Sequence, residues 1–493
     1  KWMCLRMLDL SWSDVKNLPN SIGKLLHLRY LNLSDNRNLK ILPDAITRLH
    51  NLQTLLLKDC RSLKELPKDF CKLVKLRHLD LRGCQCLIGM PLGMDRLISL
   101  RVLPKVVVGK KEQSDDQLKA LKGLTEIKGS IDITIYSKYR IVEGMNDTGG
   151  GAGYLKSMKH LTGVNITFDE GGCVNPEAVY LKSMKHLTRV IIIFDYKGGC
   201  VNPEAVLATL EPPSNIKRLE VWHYDGTTIP VWGRAEINWA ISLSHLVDIK
   251  LSCCRNLQEM PVLSKLPHLK SLELRCLENL EYMESTSRSS SSDTEAATPE
   301  LPTFFPSLEK LTLWRLDKLK GFGNRRSSSF PRLSELEIWK CPDLTWFPSC
   351  PSLEELELKE NNEALQIIVK ITTTRGKEEK EEDKNAGVGN SQDDDNVKLW
   401  KVEIDNLGYL KSLPTNCLTH LDLTIRDSKE GEIELEVGEA FQKCVSSLRS
   451  LTIIGNHGIN KVKRLSGRTG LEHFTLLESL KFSKIEDQED EGE

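Results

Sequence analysis

Residues 28–43 read LRYLNLSDNRNLKILP, residues 52–67 read LQTLLLKDCRSLKELP, and residues 76–91 read LRHLDLRGCQCLIGMP. The three stretches share one template, L-x-x-L-x-L-x-x-N/C-x-x-L, which a Leu-Pro or Met-Pro pair follows three residues later. Their first leucines are 24 residues apart.

The template recurs over most of the chain, and its period is that of the leucine-rich repeat. The first leucine of further units stands at 5, 100, 246, 269, 308, 333, 353, 399, 418, 448 and 477. With degenerate units included, the sequence predicts about 18 repeats. We therefore predict an α/β solenoid, a leucine-rich repeat horseshoe. A parallel β-sheet should line its concave face, and its convex side should be mostly irregular or short-helical.

The template has a direct physical reading. In L-x-L, alternate residues of a short strand point into the core. The ninth position holds asparagine or cysteine where the chain turns, so its side chain can serve buried backbone groups. Cys60, Cys84, Cys254 and Cys341 occupy this position. We interpret them as small buried residues rather than metal or redox ligands, because no second cysteine pair stands at zinc-ligand spacing.

The repeats are not uniform along the chain, and we interpret 1–493 as one repeat domain with three sections. Residues 1–104 are regular, residues 105–210 are irregular, and residues 211–493 resume the template. Within 154–206 the sequence is duplicated, since YLKSMKHLT occurs at 154 and 180, and GGCVNPEAV at 171 and 198. Low-complexity loop inserts are predicted at 285–299 and 376–396.

Composition and motifs exclude several classes of function. Lysine and arginine number 68 against 69 aspartates and glutamates, a formal charge of −1. This balance offers no global attraction to nucleic acid or an anionic membrane. No apolar run is long enough to span a membrane. The sequence has no P-loop, H-E-x-x-H or G-x-S-x-G motif. We predict no enzyme activity, cofactor or metal for this chain.

The template also predicts which side chains face a partner. The third, fifth, seventh and eighth positions should face the concave solvent side. In the later repeats these candidate partner-binding residues are Arg218, Glu220, Trp222, His223, Lys310, Trp314, Arg315, Glu335, Glu337, Trp339, Lys340, Glu355, Glu357, Lys359, Lys401, Glu403 and Asp405. Because Trp314 and Trp339 hold the same position in consecutive repeats, their indoles should lie side by side.

Several phrases give the chain a more specific resemblance. They include Leu28 to Ser34, Asn51 to Leu55 and Leu76 to Leu81, together with Val106 to Gly109, Glu211 to Ile216 and Pro230 to Trp232. They resemble the C-terminal leucine-rich repeat domain of plant intracellular immune receptors of the coiled-coil NLR class. By this resemblance the chain is a piece of a longer receptor, whose preceding nucleotide-binding domain would bind ADP or ATP.

The resemblance implies a recognition and autoinhibition module. Later repeats would bind a pathogen effector or a guarded host protein and so trigger defence signalling. The first repeats would contact the receptor's own nucleotide-binding switch domain, through Arg29, Lys58, His78, Asp80 and Arg82. Oligomers would form only through the absent domains. The expected location is cytoplasmic, with a nucleocytoplasmic distribution as a variant.

Two other readings stay open at this point. One is the ectodomain of an extracellular repeat receptor, against which stand the missing flanking cysteine-pair caps and only three N-x-S/T sites, at Asn32, Asn146 and Asn165. The other is a scaffold that presents substrates to a larger assembly. The sequence encoded upstream would decide among them.

Overall fold

The computed structural model describes the chain in segments. These are residues 3–109, 117, 120–136, 155, 157–169, 181–182, 184–196, 202–230, 232, 239–284, 304–323, 329–362, 364–367, 401–413, 421–426, 447–454 and 476–483. Both predicted inserts, 285–299 and 376–396, lie outside the described residues.

Two compact units divide the chain between Val262 and Leu263. The three sections predicted from sequence regularity are a different kind of division and stay a prediction. Unit 1 has a four-stranded parallel sheet, β1 to β4, and a ladder of six further parallel strands, β5 to β10. Their bounds are Met7–Asp9, Tyr30–Asn32, Thr54–Leu56, His78–Asp80, Lys105–Val108, Lys128–Tyr136, His160–Asp169, Arg189–Ile193, Arg218–Trp222 and Asp248–Ser252.

The strands of unit 1 form where the template places L-x-L. Leu31, Leu55 and Leu79 are register partners across β2, β3 and β4, and all three are fully buried. The residues on either side of each leucine point to the other face of the sheet. The core is therefore a stack of identical layers, one layer for each repeat.

Where the ninth template position holds asparagine or cysteine, a buried hydrogen bond from its side chain closes the coil. The amide of Asn36 donates to the carbonyls of Leu10 (2.8 Å) and Leu33 (2.7 Å). One repeat later, the Cys60 thiol donates to Leu33 (3.1 Å), and Cys84 donates to Leu57 (3.1 Å). Burial raises the pKa of the Cys60 thiol to about 11 and that of Cys84 to about 12. The cysteines are therefore neutral hydrogen-bond donors within the core.

The eighth template position adopts a left-handed backbone, which the sequence pattern did not reveal. Positive φ occurs there in ten repeats, at Trp12, Asp35, Asp59, Gly83, His223, Cys253, Cys276, Arg315, Lys340 and Glu360. Nine of these ten residues have a side chain, although such a conformation is costly outside glycine. The turn is repeated because it directs the chain from the strand to the buried ninth position.

Pro104 explains why the sheet of unit 1 is interrupted. Val102 still pairs with His78, but proline has no N–H with which to continue the ladder. The Pro104 carbonyl instead accepts from the N–H of Asp132 at 2.9 Å, and β5 joins the second group of strands through β6.

Connections behind the strands are short. In the regular repeats they contain 3₁₀ turns, such as Asn20–Lys24 and Asp44–Arg48. Two α-helices occur in the described part of unit 1, α1 (Pro203–Thr209) and α2 (Trp239–Ser242). Helix α1 begins with a proline, and the side chain of Asn202 caps it by accepting from the N–H of Ala205 at 3.0 Å.

Unit 2 repeats the same architecture. Its sheet consists of β11 (Ser271–Arg275), β12 (Lys310–Trp314), β13 (Glu335–Trp339), β15 (Glu355–Lys359), β17 (Lys401–Ile404), β18 (Leu421–Arg426), β19 (Leu448–Ile454) and β20 (Ser479–Ser483). A separate two-stranded sheet pairs β14 (Trp346–Phe347) with β16 (Gln366–Ile367). Leu311, Leu336 and Leu356 are buried register partners. Behind the sheet, the rings of Phe305, Phe330 and Phe347 stack with centroids 5.6 and 5.4 Å apart.

The observed strands confirm the predicted leucine-rich repeat fold. Eighteen parallel strands of the repeat type lie in the described segments, one for each repeat unit. Among those segments, no helix is long and apolar enough to span a membrane. The same segments contain no cluster of three potential metal-ligating side chains.

Candidate protein-binding surface

The outward side chains of β11, β12, β13, β15, β17 and β18 form a continuous surface, here called the unit 2 sheet face. Strand register arranges its residues in rows. The first row is Lys310, Glu335, Glu355 and Lys401, the second is Thr312, Glu337, Glu357 and Glu403, and the third is Arg275, Trp314, Trp339 and Lys359. Most of the candidate residues of the later repeats therefore lie together.

The third row is a chain of cation–aromatic contacts. The rings of Trp314 and Trp339 meet edge to face, with centroids 5.9 Å apart and planes at 80°. The Cζ atom of Arg275 is 5.7 Å from the Trp314 ring, and Lys359 Nζ is 5.4 Å from the Trp339 ring. Trp339 remains 39 % exposed. Stacked cations hold the indoles in fixed positions while their outer surfaces stay in water.

Beside the tryptophans lies a depression of about 260 Å³ rich in carboxylates. Its polar lining consists of Lys310, Glu335, Glu337, Glu355, Glu357, Lys401 and Glu403. Glutamates face one another directly across β13 and β15, an arrangement that repels unless cations intervene. Lys310 Nζ supplies such contacts, at 3.0 Å from Glu335 and 2.9 Å from Glu337, and Lys401 Nζ lies 3.2 Å from Glu355.

These ion pairs shift the pKa values of their members. Burial alone would lower the pKa of Lys310, but its pairs with Glu337 and Glu335 outweigh burial and raise it. Burial alone would raise the pKa of Glu403, yet Lys359 and Arg426 outweigh burial and hold that pKa below its ordinary value. Both groups therefore stay charged at neutral pH.

Lys359 occupies a position different from the exposed one that the template suggests. Its side chain is only 11 % exposed, and its ammonium contacts Glu357 and lies 2.8 Å from Glu403. The reason is its place between two carboxylate-bearing strands and beside the Trp339 ring. Within this surface Lys359 is a bridging residue beneath the outer side chains.

The eighth-position candidates lie beyond the strands. Arg315 and Lys340 are in the left-handed turns that follow β12 and β13, and both are exposed. Arg315 Cζ lies 5.6 Å from the Trp314 ring, so it flanks that indole from the strand end. Asp405 follows β17, and its carboxylate accepts from the N–H of Glu360 at 2.7 Å. These residues form the rim of the unit 2 sheet face.

The remaining later-repeat candidates belong to unit 1. Trp222 lies at the end of β9, with its Nε1 atom 3.3 Å from Glu220 and Lys250 Nζ 4.6 Å from its ring. Arg218 Nε is 3.5 Å from Glu220. Burial, assisted by Arg255, lowers the pKa of His223, which favours the neutral imidazole at pH 7.

The N-terminal candidates lie in or next to β2, β3 and β4: Arg29 directly precedes β2, Lys58 follows β3, His78 and Asp80 belong to β4, and Arg82 follows β4. Arg29, Lys58, His78 and Arg82 are exposed. Asp80 follows the inward Leu79 and so lies on the outward side of β4, but it is buried because Arg82 covers it with a bidentate pair: Nη2 is 2.6 Å from Oδ2, and Nε is 3.0 Å from Oδ1. Lys58 Nζ lies 3.8 Å from Asp59.

Several charged residues of the unit 2 sheet face, among them Arg275 and Arg426, were not predicted from the sequence. Arg275 completes the aromatic row, and Arg426 Nε lies 3.1 Å from Glu403. Arg275 could have been found, because it holds the seventh position of the repeat that begins at Leu269. Arg426 lies after a degenerate unit, where the template gives no clear register.

Comparison with known proteins is consistent with this fold. The model of the leucine-rich repeat region matches residues 1–148, the R13L1/DRL21 repeats match 118–277, and the repeats of RPS2-like plant disease resistance proteins match 215–351. Together they cover residues 1–351 of the chain. The chain is a leucine-rich repeat region of the plant disease-resistance type.

Three relatives from Solanum bulbocastanum, all named as disease resistance proteins, support this family assignment. The chain is 36 % identical over 361 residues to putative disease resistance protein RGA1, covering 73 % of this chain and 31 % of that protein. It is 31 % identical over 172 residues to RGA4 (34 % of this chain, 16 % of that protein). It is 30 % identical over 161 residues to RGA2 (32 % and 16 %). The chain thus spans less than a third of the length of these relatives.

Solved structures with similarity to the chain include a leucine-rich repeat protein of Leptospira interrogans and InlJ of Listeria monocytogenes. The first has a TM-score of 0.36 at 17 % identity and covers 72 % of this chain and 79 % of its own. The second has a TM-score of 0.36 at 13 % identity, with coverage of 72 % and 69 %.

The ion pairs of Lys359 generate a prediction about stability. Lys359→Met keeps the length of the side chain but leaves Glu357 and Glu403 with one cation fewer. We expect the free energy of unfolding at pH 7 to fall by about 1–3 kcal/mol. This is less than for a fully buried pair, because Glu403 is partly solvated. Lys401→Met, at an exposed pair, is the control and should cost under about 1 kcal/mol.

The effect of this substitution should depend on pH. Because the folded-state pKa of Glu403 is lowered, its pairing stabilises the wild type above the ordinary value of 4.5 and is lost as pH falls through the lower folded value. The difference in unfolding free energy between Lys359→Met and the wild type, measured by urea unfolding, should therefore become smaller as the pH falls from 7 to 3. Equal losses for the two variants, or a gap independent of pH, would contradict this account.

Proposed function

We propose that the chain is the ligand-recognition and autoinhibitory module of an intracellular plant immune receptor. In this proposal the unit 2 sheet face binds a pathogen effector or a guarded host protein, and binding triggers defence signalling. The observation that carries the proposal is the pair Trp314 and Trp339, held edge to face and open to solvent on a face otherwise covered by charges.

The chemistry of this face supports protein recognition. An exposed tryptophan adds little to folding beyond its cation–aromatic contacts, whereas tryptophan is enriched among interface hot spots. The indoles are fixed by Arg275 and Lys359, so little side-chain entropy is lost when a partner covers them. The surrounding ion pairs supply a polar rim that selects the partner's charge pattern.

Similarity to disease-resistance proteins supports the wider architecture. The chain corresponds to less than a third of each relative, which leaves room for the coiled-coil and nucleotide-binding domains of an NLR. In that architecture ADP or ATP binds outside this chain, oligomers form through the other domains, and the receptor acts in the cytoplasm or in both cytoplasm and nucleus.

We propose further that the first repeats contact the receptor's nucleotide-binding domain. Lys58 and Arg82 are exposed and lie at equivalent positions after β3 and β4, so they present two neighbouring cations. Arg29 and His78 extend the polar surface, while Asp80 orients Arg82. A contact of this kind would hold the switch domain inactive until a ligand is bound.

The recognition proposal predicts the effect of removing both indoles. A screen of plant-pathogen effectors co-expressed with the full-length receptor first identifies the partner by its cell-death response. Trp314→Ala with Trp339→Ala should then weaken binding by about 2 kcal/mol or more per residue. Stability should fall by only about 1–2 kcal/mol, the value of the lost cation–aromatic contacts. Isothermal calorimetry and thermal melts of the same double variant provide the two values.

Trp346→Ala is the matched control, because this tryptophan belongs to β14, which pairs with β16 and lies outside the unit 2 sheet face. It should leave affinity unchanged. Retained affinity in the Trp314 and Trp339 double variant would overturn the assignment of the recognition surface. A collapse of the melting temperature would show instead that the indoles are part of the core.

The autoinhibition proposal predicts the effect of charge reversal. Lys58→Glu with Arg82→Glu in the full-length receptor should give effector-independent cell death, because two cations at one polar contact become anions. Asp80→Asn is the control, since it disturbs the local pair with Arg82 and keeps both cations. A silent double variant at normal protein level, or equal autoactivity of the control, would count against this contact.

A further inference from the structure

The tandem copies differ in a pattern that the repeat fold alone does not require. Residues 154–179 and 180–206 are identical except for four substitutions and one inserted residue, Lys197. The substitutions pair Gly163 with Arg189, Asn165 with Ile191, Thr167 with Ile193, and Glu170 with Tyr196. Three of the four fall at alternate positions of one strand.

Alternate positions of a strand point to one face. In β7 and β8 the inward residues of the two copies are the same, and Val164 and Val190 are both fully buried. Every strand substitution is therefore on the outward side. The strands are also direct neighbours, with Gly163, Asn165 and Thr167 in register with Arg189, Ile191 and Ile193.

Exposure alone does not account for this pattern. Lys159 and Lys185 are exposed in their respective copies, as are His160 and His186, yet these pairs are unchanged. Neutral drift would have altered such positions as readily as the outward strand positions. The second copy has therefore acquired a new sheet-facing surface on an otherwise unchanged scaffold.

The acquired side chains have a definite chemistry. Arg189 is in register with Arg218, so two guanidinium groups stand on neighbouring strands. Among the residues that the structure describes, Arg189 has no carboxylate partner, and its Nε atom is buried without a hydrogen-bond acceptor. Like charges in this arrangement repel. Glu220, 3.5 Å from Arg218 Nε, offsets part of this repulsion, so a further carboxylate from a partner would serve Arg189 above all.

An apolar area adjoins these arginines. Ile193 is in register with Trp222, and both are partly exposed, while Tyr196 just beyond is 73 % exposed. Along β8, residues two apart are about 6.6 Å apart and residues four apart are about 13 Å apart. An extended peptide has the same spacing, so it can place an acid at Arg189 and an apolar side chain four residues further on, at Ile193, while Ile191 between them is buried.

We propose that β8 and β9 form a second docking surface, distinct from the unit 2 sheet face. Its occupant is an extended segment of a partner protein with an aspartate or glutamate four residues from a large apolar side chain. The carboxylate contacts Arg189 and Arg218, and the apolar side chain packs on Ile193 and Trp222. The duplication supplied this surface by adding one strand with new outward residues.

A peptide selection on the complete chain tests this proposal. The probe is a phage library of random 12-residue peptides, selected on the wild type and depleted on the variant Arg189→Glu, Ile191→Asn, Ile193→Thr. The last two substitutions restore the residues that the first copy has, so the fold should be kept, and circular dichroism melts verify it. We expect the retained peptides to have an acid four residues from Leu, Ile, Phe or Trp.

Individual contacts are then measured by fluorescence anisotropy with a synthetic retained peptide. Arg189→Glu should weaken binding at least about tenfold, and replacement of the peptide acid by lysine should restore binding to that variant. Lys185→Ala with His186→Ala, on the exposed but unchanged part of the same copy, should stay within about twofold.

The outcomes separate the two surfaces. Trp314→Ala with Trp339→Ala should leave peptide affinity unchanged, whereas it abolishes effector binding under the proposed function. The second docking surface would be overturned if the selection retained no peptides, or if the retained peptides lacked the acid–apolar spacing. It would also be overturned if the lysine peptide did not restore binding to Arg189→Glu.

Discussion

The hydrogen bond from the ninth template position to a strand carbonyl is the constraint on which the structure depends. In every coil the chain must leave the strand, turn and re-enter the core, and it leaves backbone carbonyls buried there. Asn36, Cys60 and Cys84 satisfy those carbonyls at successive repeats. The left-handed residue just before each of them provides the turn that makes this contact possible. Because the unit is local, coils can be duplicated or degenerate without disturbing the rest.

This constraint separates stability from recognition. Inward strand residues and the ninth position are fixed by burial, while the outward residues of the same strands are free to vary. The duplicated units show the separation within one chain, since Val164 and Val190 agree and Asn165 and Ile191 do not. In unit 2 the free positions contain tryptophans and glutamates, with lysines placed between like charges. Recognition can therefore change there at small cost to the core.

Much of the fold follows from the sequence, because one leucine register repeats and each repeat folds locally. The pairing of Trp314 with Trp339 was predictable for the same reason: the two positions are equivalent in adjacent repeats. The burial of Lys359 was not, because it depends on Glu403, which is far along the chain and beyond an insert of unrelated length. The burial of Asp80 was not predictable either, because the template assigns a residue to a face of the strand but does not show that the Arg82 side chain covers it.

The central claim is that partners bind to the outward sides of the strands, and site-specific photocrosslinking tests it most directly. A benzophenone amino acid is placed at Trp339, in the unit 2 sheet face, or at Arg332, an exposed position before β13, in the full-length receptor with its identified effector. The account predicts a covalent receptor–effector product from position 339 and none from 332. A product from 332 alone would contradict it.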